Sequence, residues 1–187
     1  MIYEPKEDSY LLEQYVKKYS RNKNVLDIGS GSGIQALAAL KAKAKLVTAT
    51  DVDKESLAHL FSLANSYSNI KIIKSNLFSS LPKKKKFDLI IFNPPYLPQD
   101  SREDKESQRA TTGGKFGDEV IAKFLKQSKD YLSPRGFILI IVSSLTPIKK
   151  IDKILSATYI KTVLEKKSFF MESLEVWKIE HSVNKNL

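Results

Sequence analysis

Asn24-Val25-Leu26-Asp27-Ile28-Gly29-Ser30-Gly31-Ser32-Gly33-Ile34 decides the fold. A short apolar run of strand length meets a glycine loop with no spacer, and behind the loop Ile34, Leu37, Ala38 and Leu40 recur at helical spacing. Strand, glycine loop and helix in that order form the opening βα unit of a dinucleotide- or nucleoside-binding sheet, where glycines let the backbone approach a ligand at a helix N-terminus. The spacing narrows the ligand. A pyrophosphate fingerprint needs G-x-G-x-x-G, and the sixth position counted from Gly29 is Ile34. Asp27, at the strand end, also sits badly beside a phosphate but suits a ligand carrying an ammonium group.

Working outward, residues 45–50 read as the second strand and run into Asp51-Val52-Asp53. Asp51 lies twenty residues beyond Gly31, where an acid at the tip of the next strand accepts hydrogen bonds from both ribose hydroxyls. One of Asp51 and Asp53 is expected to cap the helix that carries Leu57, Leu60, Phe61 and Ala64. An amino-acid end, a ribose and no phosphate describe S-adenosylmethionine. A third strand at 70–74 precedes Ser75-Asn76-Leu77-Phe78, where the Asn76 amide can meet an adenine amine and Leu77 its ring. A turn asparagine is the plain alternative.

The fourth strand, Phe87-Asp88-Leu89-Ile90-Ile91-Phe92, stops at Asn93-Pro94-Pro95-Tyr96-Leu97. Proline has no backbone N–H and fixes φ, so this corner is stiff and rich in acceptors. A planar NH2 group, whether a carboxamide or the exocyclic amine of adenine, has a delocalised lone pair and attacks poorly. If the Asn93 side-chain oxygen and the Pro94 carbonyl accept its two hydrogens, the nitrogen is drawn toward tetrahedral geometry and the lone pair is freed. Tyr96 then offers a face for the flat group, with Pro95 and Leu97 completing the substrate side. The plain alternative is a strand ending in a Pro-rich turn.

Length and composition set the frame. The 187 residues, 42% of them hydrophobic, fit one α/β domain over 1–187, with 1–20 as an N-terminal lid and helix and 97–118 as a substrate-side flap. No run of about 18 apolar residues and no signal-peptide layout is present, which points to a soluble, cytoplasmic protein with no membrane contact. There are no cysteines and two distant histidines, His59 and His181, so no metal site is expected. The formal charge of +10 favours acidic partners, with a weak nucleic-acid contact in view, although Lys83-Lys84-Lys85-Lys86 reads as a solvated turn. Asp8 or Ser9 is placed as the cap of a first helix bearing Leu11, Leu12, Tyr15, Val16 and Tyr19. Beyond the flap, the pattern predicts a helix carrying Val120 through Leu132, a Ser133-Pro134-Arg135-Gly136 turn, and a buried strand at 137–142. A helix at 148–155, strands at 160–164 and 174–179 with Trp177 in the core, and a polar tail follow.

Alternating strands and helices with a final strand pair resemble the seven-stranded, mostly parallel, Rossmann-like class I methyltransferase sheet with helices on both faces. Tyr3-Glu4-Pro5-Lys6-Glu7-Asp8-Ser9, Asp27-Ile28-Gly29-Ser30-Gly31-Ser32-Gly33, Thr50-Asp51-Val52-Asp53, Asn93-Pro94-Pro95-Tyr96, Gly113-Gly114-Lys115-Phe116-Gly117 and Leu132-Ser133-Pro134-Arg135-Gly136 together resemble the HemK-like glutamine methyltransferases, most closely the eukaryotic and archaeal branch. That family methylates the glutamine amide in the Gly-Gly-Gln loop of class I translation release factors. The resemblance implies that Ser9, Asp27, Gly29, Gly31, Asp51, Asn76, Leu77 and Asn93 contact S-adenosylmethionine. Asn93, Pro94, Pro95, Tyr96 and Leu97 would hold the target amide, with Asn93, Pro94 and Tyr96 catalytic. It also implies the sheet order 3-2-1-4-5-7-6 and a heterodimer with a small zinc-binding activator protein that adds strands to the edge at 70–74. Asn76 departs from the acid common in the family, and the N-terminal docking domain of the bacterial members is not seen before the lid.

Other readings remain open at this point. The acceptor pair suits an adenine N6-methyltransferase acting on DNA or RNA equally well, and a lysine methyltransferase activity has been attached to the family. A non-catalytic RNA-binding or scaffold subunit with a decayed cofactor site is the non-enzyme reading; intact Asp27, Gly29, Gly31, Asp51 and Asn93 argue against it.

Overall fold

In the computed structural model, which describes residues 4–99, 111–170 and 172–182, the chain builds one seven-stranded sheet of order β3-β2-β1-β4-β5-β7-β6. The strands are β1 (Asn24–Ile28), β2 (Leu46–Asp51), β3 (Ile70–Lys74), β4 (Phe87–Phe92), β5 (Leu132–Ser143), β6 (Tyr159–Ser168) and β7 (Ser173–His181). Neighbours from β3 to β5 run parallel, and β7 is antiparallel to both β5 and β6. The expected order and reversed strand are both observed.

The central strands read as unbroken apolar runs because both of their faces are covered. Side chains alternate across β4: Leu89 and Ile91 join a core with Leu11, Leu12 and Val16 of α1 (Glu7–Tyr19), Ala38 and Ala39 of α2 (Ile34–Lys41) and Leu60 of α3 (Lys54–Ala64). Ile90 and Phe92 point the other way, onto Ile121, Phe124 and Leu125 of α4 (Glu119–Ser128) and Ile151 and Leu155 of α5 (Lys149–Thr158). Phe124 is fully buried, with ring centroids 4.6 Å from Phe92 and 5.6 Å from Phe78. Phe124→Ala is therefore expected to cost about 3–5 kcal/mol. Urea unfolding checks this as a lower midpoint at unchanged slope; a loss below about 1 kcal/mol would mean that the core closes over the gap.

Several local expectations are corrected. Leu132 is not helical: α4 ends at Ser128, and Leu132 opens β5 opposite Phe87. Residues 133–136 are an outward bulge inside β5 rather than a turn before it, because Phe87 faces Leu132 while Leu89 already faces Phe137. A bulge tolerates the missing N–H of Pro134. Gly136 is required there because a Cβ would lie 2.8 Å from the Phe87 carbonyl oxygen. The outer strands run longer than predicted, since exposed Lys, Thr and Glu on β6 hide a ladder that pairs from Tyr159 to Ser168.

Neither Asp8 nor Ser9 caps α1. The N-cap is Lys6 without a side-chain bond, and Asp8 and Ser9 are buried inside the first turn. Asp53 does cap α3, accepting from the Ser56 N–H at 2.9 Å. The helix of segment 1–20 is a wall of the core, while Tyr3 lies outside the described residues. The lysine run is not wholly solvated either. Lys85 Nζ donates to Thr48 Oγ1 at 3.1 Å over the Phe87 ring, where burial holds its pKa below the usual lysine value, and Lys86 Nζ donates to the Asp130 carbonyl at 2.7 Å.

Candidate active site

The order reverses between β1 and β4, and the crevice outside the strand C-termini at such a switch point is where open α/β sheets bind ligands. The glycine loop is wound tightly there: Ser30 N–H donates to the Thr50 carbonyl at 2.9 Å and Gly33 N–H to the Ser30 carbonyl at 2.7 Å. Gly33 has φ 78°, and a Cβ on it would lie 2.9 Å from Leu60. The Gly31 N–H (φ 50°) donates to Asp51 Oδ2 at 2.8 Å, while Asp51 Oδ1 accepts from Val52 and Asp53 N–H at 2.7 and 2.9 Å. The Asp51 carboxylate is thus fixed before any ligand arrives, and its spare lone pairs can accept from a diol.

At the end of β4, Asn93 Nδ2 donates to Asp8 Oδ2 at 3.0 Å and to Ser9 Oγ at 3.3 Å. An ionised carboxylate only accepts, so the NH2 end of Asn93 must face α1. Its Oδ1 is buried with no hydrogen-bond partner among the described residues. Gln35 in the first turn of α2 repeats the pattern: Nε2 donates to the Ser9 carbonyl at 2.8 Å and Oε1 is left buried without a partner among the described residues. Asp27 Oδ2 is the third such oxygen on β1, α2 and the end of β4; elsewhere among the described residues Thr112 Oγ1 and Gln127 Oε1 are also buried without a partner. The first three are acceptors, and buried acceptors without donors are costly. A ligand set carrying an ammonium and a planar NH2 group supplies the missing donors, so the pocket chemistry fits an amino-acid cofactor beside an amide substrate.

The corner itself is braced. Pro94 is buried, and Pro95, Tyr96 and Leu97 are half-buried, with Tyr96 touching both cores. Leu97 pairs with Thr112, and Cβ atoms on Gly113 and Gly117 would lie 2.7 and 2.6 Å from the carbonyl oxygens of Pro95 and Tyr96. Both ends of the 97–118 segment therefore lie on the corner, while its middle, residues 100–110, is outside the described residues. Asn76 is exposed after β3, its backbone N–H donating to Ser79 Oγ at 3.2 Å. Leu77 has φ 51° and turns its side chain into the core beside Phe78. Among the described residues no group of three or more His, Cys, Asp or Glu side chains gathers as a metal site, and no helix is long and apolar enough to cross a membrane.

The family model for the methyltransferase small domain matches residues 7–171. The chain belongs to this methyltransferase family. A relative from Methanocaldococcus jannaschii, named "Putative protein N5-glutamine methyltransferase", is 38% identical over 153 residues, spanning 80% of this chain and 76% of its own. The release factor glutamine methyltransferase of Fusobacterium nucleatum is 36% identical over 125 residues, 62% of this chain but 35% of the longer relative. Among solved structures, the E. cuniculi Mtq2–Trm112 complex, responsible for methylation of the eRF1 translation termination factor, superposes with a TM-score of 0.74 at 24% identity. The match covers 97% of this chain and 99% of that one, a likeness that establishes the class I methyltransferase fold.

In this methyltransferase the electrostatics of Asp27 stand out. Its side chain is 1% exposed, and burial pushes its pKa up to about 7 against the lowering hydrogen bond from Ser30, with the nearby Asp51 charge adding to the rise. Asp8 and Gln35 were not singled out as site residues from sequence. Asp8 read as a cap, and Gln35 lies on a helix whose other inward residues are alanine and leucine. A buried glutamine among Ala36, Ala38 and Ala39 is the signal that was available.

Proposed function

We propose that this methyltransferase transfers a methyl group from S-adenosylmethionine to the side-chain nitrogen of the glutamine in the Gly-Gly-Gln loop of a class I translation release factor. The observation that carries the reading is Asn93: its NH2 is tied to Asp8 and Ser9, which leaves its unpartnered Oδ1 able to accept from an NH2 donor. Asp27 would hold the cofactor ammonium, the Gly29 to Gly33 backbone would pass along its amino-acid end, and Asp51 would take the ribose hydroxyls. The exposed Asn76 side chain and the backbone of Leu77, whose side chain is in the core, would flank the adenine end. When bound, the cofactor supplies an electrophilic methyl group on a sulfonium. Asn93 Oδ1 and the Pro94 carbonyl hold the two amide hydrogens, which weakens conjugation of the nitrogen lone pair, and Tyr96 keeps the amide plane in place. No charged base is needed, because the methylated nitrogen sheds its proton afterwards.

The relatives' names support a glutamine acceptor in a release factor. The β3 edge supports a small partner: Ile70, Ile72 and Ile73 are only half-buried on a strand that is unpaired on one side, and such edges attract added strands. The partner we assign is a small zinc-binding activator, with the whole chain acting as one catalytic domain. The test offers purified protein, with and without activator, methyl-labelled cofactor and either an intact release factor or an oligonucleotide. Label on the release factor, lost when its Gly-Gly-Gln glutamine is replaced, is expected; label on the oligonucleotide alone overturns the assignment.

A further inference from the structure

The β6–β7 hairpin ends beside the catalytic corner. Phe92 is level with Ile140, which is level with Trp177, and the hairpin closes at Ser173 opposite Ser168. At about 3.3 Å per residue, the tip rises roughly 13 Å beyond Phe92 and stands two strand spacings, about 10 Å, to one side. It is held upright: Ser144 N–H donates to the Ser173 carbonyl at 2.8 Å, Ser173 N–H to Ser144 Oγ at 2.9 Å, and Ser143 Oγ to Glu172 Oε2 at 2.8 Å. Phe169 is half-buried against the core, yet Phe170 is 99% exposed. Leu145, which follows the Ser144 bonded to Ser173 at the tip end of the hairpin, is exposed too, and the next residue, Thr146, donates to the Tyr96 carbonyl at 3.5 Å. Exposed Phe116 and Tyr10 come from the other segments that touch the corner, one packed on the carbonyls of residues 95–97 and one beside Ser9.

We infer that this braced hairpin tip, with Phe170 at its apex and Leu145 beside it, is a docking finger for the folded body of the acceptor protein. The inference rests on the release-factor reading above and adds where that protein is gripped. Because Asn93 Oδ1 is buried, the target amide must arrive on a projecting loop, and the domain behind that loop has to lie against whatever surrounds the corner. The small activator is not the occupant, since the β3 edge lies five strand spacings, about 24 Å, from β7. A rigid hairpin offering one large aromatic side chain is the anchor-type contact on which protein interfaces depend.

The test compares wild type with the double variant Phe170→Ser, Leu145→Ser, both in complex with activator, on two acceptors: an intact release factor and a short Gly-Gly-Gln peptide. Losing these apolar contacts should raise KM for the intact factor about tenfold to a hundredfold. Both kcat and cofactor affinity should stay at wild-type values, and peptide kinetics should be unchanged. An intact-factor KM within about twofold of wild type overturns the finger while leaving the release-factor reading standing. An equal rise for peptide and factor, loss of activator from the variant, or a change of the variant from dimer to monomer also overturns it. Wild-type label on an oligonucleotide instead of a protein overturns both readings.

Discussion

Methyl transfer by the Asn93→Ala variant is expected to fall by about 10² to 10³ or more, with cofactor affinity unchanged. The variant loses the buried, unpartnered side-chain acceptor at the end of β4, leaving the Pro94 carbonyl to face an amide that keeps its resonance. Asp27 and Asp51, the acids proposed to hold the cofactor, belong to β1 and β2 rather than to the β4 corner, so its binding isotherm should not move. Asp8→Asn is the companion experiment. Today the Asp8 carboxylate forbids the rotated form of Asn93, because rotation would set oxygen against oxygen. An asparagine at position 8 can satisfy either rotamer, so a share of molecules would present NH2 to the substrate and kcat should drop roughly 2- to 10-fold. Full activity in Asn93→Ala, measured as labelled methyl incorporated per minute beside a calorimetric cofactor titration, would sink the mechanism.

These two substitutions also show what the sequence could and could not reveal. Gly29, Gly31, Asp51 and the Asn93 corner were legible because each constrains its own neighbourhood: positive φ in a loop, an acid at a strand tip, two prolines after an apolar strand. The parallel order followed from alternating elements. Asp8 was misread because its partner, Asn93, is 85 residues away and its local setting imitates a cap. Gln35 was passed over because helical periodicity says which face is inward but not which polar group that face will bond. The β5 bulge hid for a related reason: Ser133-Pro134-Arg135-Gly136 has the composition of a turn, and only the pairing of Phe87 and Leu89 with Leu132 and Phe137 places it inside a strand. Phe170 gave no signal at all, since exposure depends on what fails to cover it.

Cofactor affinity is expected to peak between pH 7 and 8 and to weaken about tenfold per pH unit below that window. Burial lifts the Asp27 pKa to about 7, so the cofactor-free protein carries a proton there at lower pH, whereas an ammonium ligand needs the carboxylate ionised. Above about pH 8 the ligand's own α-amino group loses its charge, which gives the descending limb. The same shift has an opposite consequence for the empty fold. A folded-state pKa raised above the unfolded value of 3.8 means that this contribution to stability is full below pH 3.8 and is lost as pH rises toward 7. Cofactor therefore binds best where the empty site is least content. Asp27→Asn separates the two effects: its cofactor affinity should be weaker by about 10- to 100-fold near pH 7.5 and flat on the acid side, while its thermal stability without cofactor should lose the decline between pH 4 and 7. Titrations from pH 5.5 to 8.5 that show the same acid limb in both proteins would assign the titration to some other group and remove Asp27 from the ammonium.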